Sequence, residues 1–303
     1  MAKFGVHFRL AFSGAALLFF MTGCGQPDET ATRGYLKVSS AEVAFPYIES
    51  SAVKYQQVYN EAFIDVAKTT SREALVDLSE GRSRLAVLSR EPNESEVEAL
   101  SAGEADFITR TVAHDALAVI VHGDNPVEDL TLGQLRDIYT GNITNWRELG
   151  GKDMAIRPLV RDRNSGTYEV FEDVVLEGAE YGANVYPCST MAALASIAGA
   201  YPGTIGITGL LITRSTTTMA YYKTIRIAED ESGPYLLPTQ HKLLQELYPL
   251  RRPLVLCYFK RSSLEVNLVS GYVTFLTAVK GQQIAIDEGV VPATMPVRTV
   301  KLQ

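Results

Sequence analysis

Short runs suited to β-strands alternate with runs of helical apolar spacing along most of this chain, and that alternation restricts the fold more than any other feature. "YLKVSS" (35–40) reads as a strand ending in hydroxyls, and "PYIESSAVKYQQVYNEA" (46–62) as the helix after it, with Pro46 near the first turn, where its missing N–H is harmless. "FIDVAKTTS" (63–71) and "REALVDLSEG" (72–81) repeat the pattern, with Gly81 placed as a stop, and "RLAVLSR" (84–90) is a further short buried strand. Strands alternating with helices predict an α/β architecture.

The middle of the chain continues in kind. The strand "ALAVIVH" (116–122) precedes "IRPLV" (156–160), the small-residue helix "STMAALASIAGAY" (189–201) and the turn-strand "PGTIGIT" (202–208). The final portion offers the strand "RRPLVLCYF" (251–259) and one amphipathic helix, "NLVSGYVTFLTAVKGQQIAIDEG" (267–289). No solenoid-type repeat is present. A length of 303 residues suits two lobes. Lobe 1 is expected over 35–115 plus 236–303 and lobe 2 over 116–235, joined by crossing segments near 115 and 235. A cleft between such lobes is where small ligands bind.

Residues 1–23 read as a signal peptide: Lys3 and Arg9 precede an apolar run too short to span a bilayer comfortably. "MTGC" resembles the lipobox of bacterial lipoproteins, in which Cys24 is diacylated and the chain is cut just before it; the plainer alternative is a signal peptide with an incidental cysteine. Two acyl chains would hold the protein stably on a membrane. Residues 24–34, polar and aperiodic, read as the lipid-anchored linker.

A net charge of −7 argues against broad binding to nucleic acid, which needs a basic face. Cys188 and Cys257 are too few for a disulfide scaffold or metal site, and whether they pair stays open. The histidines (His7, His114, His122, His241) have no metal-binding spacing, and no cofactor is expected. "SAVK" (51–54) formally matches S-x-x-K without companion motifs, and Ser165 is not in a G-x-S-x-G elbow, so no enzymatic activity is expected.

One stretch, "RDRNSGTYEVF" (161–171), gathers a guanidinium, two hydroxyls and a glycine at the start of a helical segment. It suits an anion, because the first N–H groups of a helix have no intrahelical partner. The same letters also describe an ordinary helix cap at Ser165.

"HDALAVIVHGDNPVEDLTLGQLRDIYTGNITNWRELGG" (114–151), "VRDRNSGTYEVF" (160–171), "PGTIGITGL" (202–210), "YPLRRPLVLCYF" (248–259) and "GQQIAIDEGVVPA" (281–293) together resemble, in order, the PstS-type phosphate-binding proteins, the solute-binding lipoproteins of phosphate ABC transporters. The resemblance implies a two-lobed periplasmic-binding-protein type II fold, each lobe a sheet flanked by helices with a two-strand hinge. It implies a monomer that captures inorganic phosphate, closes, and presents a face to a membrane permease outside the cytoplasm. It assigns Arg161 as a charge-assisted donor, Ser165 and Thr167 as hydroxyl donors, and the Gly166 and Thr167 N–H groups as further donors. From the other lobe it implies Ser71, Ser89 as donor or cap of the next turn, and Ala44 and Phe45 in the first strand-to-helix turn. Arg90 is expected as a structural ion pair.

The chain departs from that family in "AEVA" (41–44), where relatives carry hydroxyls; Ser39 and Ser40 lie just before. Glu42 would repel a dianion by several kcal/mol at low effective dielectric unless it is exposed. Alternatively, Glu42 or Asp115 accepts the proton by which phosphate differs from sulfate. Arg84 stands where the family commonly has aspartate. A lipoprotein with a lost or altered ligand, acting in sensing or protein interaction, is the rival reading.

Overall fold

A computed structural model describes residues 29–214, 221–262 and 266–295. The signal peptide and Cys24 lie outside the described residues.

The chain runs β1 (Arg33–Ala41), α1 (Phe45–Val58), β2 (Glu61–Thr69), α2 (Ser71–Ser79), β3 (Leu85–Leu88), α3 (Glu94–Ser101) and β4 (Asp106–His122). It continues through β5 (Asp129–Thr131), α4 (Leu132–Thr140), β6 (Arg157–Arg161), α5 (Gly166–Phe171), β7 (Tyr186–Cys188), α6 (Met191–Ala200), β8 (Thr204–Gly209) and α7 (Leu210–Arg214). Last come β9 (Tyr222–Thr224), β10 (Arg226–Ala228), α8 (Gln240–Leu244), β11 (Arg251–Lys260), α9 (Leu268–Thr277), α10 (Val279–Glu288) and β12 (Val291–Pro292). Among the described residues no helix is long and apolar enough to cross a membrane.

One curled sheet carries both lobes in the order β2-β1-β3-β11-β4-β8-β6-β7. β4 is the shared strand. Residues up to Ala116 pair antiparallel with β11, whereas Leu117–Val121 pair with β8. β1, β2 and β3 run parallel on one side, and β6, β7 and β8 run parallel on the other. Parallel neighbours require crossover helices, which α1, α2 and α6 supply.

The apolar strand runs are near-continuous because both sheet faces are covered. Along β3, Leu85 and Val87 enter a core with Tyr47, Ile48 and Tyr272, while Ala86 and Leu88 enter another with Ala74, Leu75 and Leu78 of α2. β4 does the same in the second lobe. Val119 and Val121 face a core containing Tyr139, Trp146 and Phe171, and Ile120 faces Leu194, Ala195 and Ala198 of α6. This period of two sends alternate side chains to opposite layers.

Several sequence expectations need correction. The linker expected over 24–34 is already structured from Glu29, whose carboxylate takes the fork of Arg84 at 2.7 and 2.8 Å, and β1 begins at Arg33. Arg84, whose role the sequence left open, thereby fastens the segment just before β1. Residues 236–250, expected with lobe 1, contribute Leu243, Tyr248 and Leu250 to the second core, and the return crossing lies beside Leu250, whose carbonyl accepts from the Leu117 N–H at 2.8 Å. The single helix expected over 267–289 is two, broken at Ala278, which is extended (ψ 171°). Gln282 bonds the Leu276 carbonyl at 2.7 Å and so caps the break, a contact that apolar periodicity does not encode. Cys188 and Cys257 are both buried and unpaired.

Candidate functional site

In open parallel sheets the carboxyl ends of the strands, followed by helix starts, form the natural ligand crevice. Here five such ends meet at the seam between the lobes. β1 leads into the 41–44 turn, β2 into Ser71, β3 into Ser89, β6 ends on Arg161, and β7 leads into α6.

Ser71 opens α2 behind a capping box in which Thr70 accepts from the Glu73 N–H and Glu73 returns a bond to the Thr70 N–H. Its hydroxyl is buried 3.2 Å from the Ser89 hydroxyl and accepts from the Ser89 N–H at 3.1 Å. Across the seam Gly166 closes on both serines. A Cβ built there would come within 2.6 Å of Ser71 Oγ and closer still to Ser89 Oγ, so only glycine fits this approach. The Arg72 N–H donates to the Asn164 carbonyl at 3.2 Å, a main-chain bond between the lobes.

Ser165 caps α5, its hydroxyl accepting from the Thr167 N–H at 3.2 Å, so that N–H, expected to face an anion, is engaged within its own helix. The Thr167 hydroxyl accepts from Arg252 at 2.7 Å. Arg252 also donates to Asp115 Oδ2 at 2.7 and 3.0 Å; both side chains are fully buried, and Asp115 Oδ1 has no partner among the described residues. Sequence reasoning missed Arg252. The available signal was its charge inside the apolar strand "RRPLVLCYF", since a buried charge demands a partner.

In the 41–44 turn the departures from expectation are larger. The Ala44 N–H donates to the Ala41 carbonyl at 2.9 Å rather than standing free. Phe45 starts α1 with its ring 4.6 Å from Lys68 Nζ. The Ser39 hydroxyl donates to Asp77 Oδ2 at 2.6 Å and is thereby engaged within the first lobe. Glu42 is not exposed: its carboxylate sits 3.0 Å from Arg161 Nη2 and accepts from the Met191 N–H at 3.1 Å. The Arg161 side chain is 3 % exposed and also donates to the Cys188 carbonyl. Burial pushes the Cys188 thiol up, partly offset by that guanidinium.

A second ionic contact joins the lobes. Arg90 forks onto Glu96 at 2.7 Å and also bonds Glu169 of α5, with Arg72 3.6 Å from the same carboxylate. The structural ion pair expected of Arg90 is therefore present. Burial raises the Glu169 carboxyl above its usual range despite these cations. Among the described residues no group of three or more His, Cys, Asp or Glu is arranged to hold a metal.

Residues 25–280 match the family model of the PBP superfamily domain. The chain belongs to the PBP superfamily. Among relatives of known name, the phosphate-binding protein PstS of Staphylococcus epidermidis is 26 % identical over 283 residues, covering 92 % of this chain and 84 % of that protein. PstS of Staphylococcus aureus is 25 % identical over 295 residues, covering 96 % and 88 %. Among solved structures, a substrate-binding protein assigned to a phosphate ABC transporter of Clostridium perfringens, with phosphate bound, superposes with a TM-score of 0.74 at 25 % identity, over 86 % of this chain and all of that one. An ABC-type phosphate transport receptor from Vibrio cholerae shares the fold at a TM-score of 0.67 and 23 % identity, over 86 % and 100 %. The two-lobed PBP architecture expected from sequence is thus the observed one.

Proposed function

We propose that this protein is the extracytoplasmic solute-binding component of an ABC transporter, capturing inorganic phosphate between its lobes and delivering it to a membrane permease. What supports the reading is the seam between the lobes, where Ser71 and Ser89 of the first lobe meet Gly166 of the second and the buried Arg161 reaches Glu42 across it, in a chain whose relatives are phosphate-binding proteins along most of their length. Phosphate is strongly hydrated, and a site must replace that water with fixed N–H and O–H donors. In this reading Ala44 and Phe45, at the start of α1, would contribute from the first lobe, and Ser165, which caps α5, from the second. Donors split between two lobes surround the anion only when the lobes close, so ligand favours the closed state. Export by residues 1–23 and acylation of Cys24 belong to the same proposal, as does action as a monomer.

One observation favours a second reading, a PBP-fold lipoprotein with a lost or altered ligand: Glu42 already neutralises Arg161. Calorimetric titration with phosphate, sulfate, molybdate and arsenate separates the two. Phosphate should bind, and Arg161→Ala should weaken it roughly tenfold to a hundredfold, as expected for losing a charged hydrogen bond. Silence toward all four anions would refute phosphate capture.

A further inference from the structure

We propose that Glu42 is a tethered ligand: its carboxylate fills an anion seat on the second lobe, latches the lobes without solute, and must be displaced by an incoming oxyanion. The displacement half of this rests on the phosphate reading; the latch half does not.

The seat is built entirely by the second lobe. Arg161, at the end of β6, is held in place by the Cys188 carbonyl and is almost wholly buried. Met191 is the first residue of the ten-residue helix α6, and Thr190 caps that helix by accepting from the Ala193 N–H, which leaves the Met191 N–H directed outward. A guanidinium and a helix-start N–H aimed at one point form an anion site. Both Glu42 oxygens lie 3.1 Å from Met191 N, and one of them lies 3.0 Å from Arg161 Nη2. Glu42 itself is carried by the first lobe, in the turn after β1, where its own N–H is fixed to the Thr69 carbonyl at 2.9 Å. The carboxylate therefore spans the seam.

Two further facts point to a seat rather than a chance pair. Arg161 Nε is buried without a partner among the described residues, so the guanidinium retains an unused donor. Burying a guanidinium without a counter-anion is costly, so Arg161, buried where the two lobes meet, needs some anion there. In the absence of solute the chain supplies its own. A ligand whose binding must first release a competing group has its affinity lowered by the fraction of molecules already released. Glu42 thus sets both the resting closure and the solute threshold.

The test uses the full chain in detergent, with hydrogen exchange and calorimetry as separate readouts. In phosphate-free buffer the Met191 amide and the interlobe Arg72 amide should be protected in the wild type and exchange about tenfold or more faster in Glu42→Ala, the scale of losing a charge-assisted bond. The isosteric Glu42→Gln should bind phosphate about tenfold more tightly than the wild type. Fluorescence of the buried Trp146 confirms that each variant is folded. Equal exchange at Met191 and Arg72 in wild type and Glu42→Ala overturns the latch, and unchanged or weaker phosphate binding by a folded Glu42→Gln overturns displacement. Glu42-dependent protection in a protein that binds no phosphate in any form supports the latch while removing the phosphate reading.

Discussion

Removing the carboxylate of Asp115 should damage this protein more than losing any surface ion pair. Asp115 in β4 stands in register with Arg252 in β11, and both side chains are fully buried. Oδ2 takes two guanidinium bonds, at 2.7 and 3.0 Å, and the remaining bond of Arg252 goes to Thr167. Asp115→Ala leaves a guanidinium enclosed with one neutral hydroxyl. Breaking a buried pair from one side costs about 3–5 kcal/mol. The exposed pair of Arg147 with Asp153, 3.3 Å apart, gives a control, since Asp153→Ala should cost about 0–1 kcal/mol. Urea unfolding followed by fluorescence of Trp146, the sole tryptophan, reports both. With a urea dependence near the upper end of the usual range, about 3 kcal/mol/M, the Asp115→Ala midpoint should fall by about 1 M or more. The double variant with Arg252→Met removes the stranded charge and should recover most of the loss. A single-variant midpoint within about 0.3 M of wild type, or a double variant no better than the single, would refute the reasoning.

Two other outcomes follow from the seam. Gly166→Ala drives a methyl into Ser71 and Ser89 and should cost about 1–3 kcal/mol of stability in the same urea assay, recovered when both serines are also made alanine; a fully stable Gly166→Ala would contradict the close approach. Glu73 is held below the usual carboxylate range mainly by the Thr69 hydroxyl, with bonds from Thr70 besides, so its capping contribution is present above the ordinary value of about 4.3 and lost as pH falls through the depressed one. Being exposed, it should contribute no more than a few tenths of a kcal/mol; the wild type and Glu73→Gln should differ by that much at pH 7 and converge once the pH has fallen below the depressed value in acid unfolding curves.

Local chemistry made much of the fold legible. β-branched runs, the Pro46 helix start and the Gly81 stop act within a few residues of themselves, so the alternation of strands and helices could be read directly. The break at Ala278 could not, because the Gln282 side chain that closes it acts on a neighbouring helix. Nor could the return crossing near Leu250, since an apolar residue does not say which of two cores it enters.

At the site, the sequence determined which groups are available: a guanidinium at 161, hydroxyls at 71, 89, 165 and 167, a glycine at 166, and a carboxylate at 42. Only the tertiary structure decided how they are used. It turned Ser165 onto its own helix, joined Thr167 to Arg252, and set Glu42 against Arg161 across 119 positions of chain. Hydrogen-bonding type belongs to a residue alone, but burial and the partner a charge requires depend on what the other lobe brings to within about 3 Å.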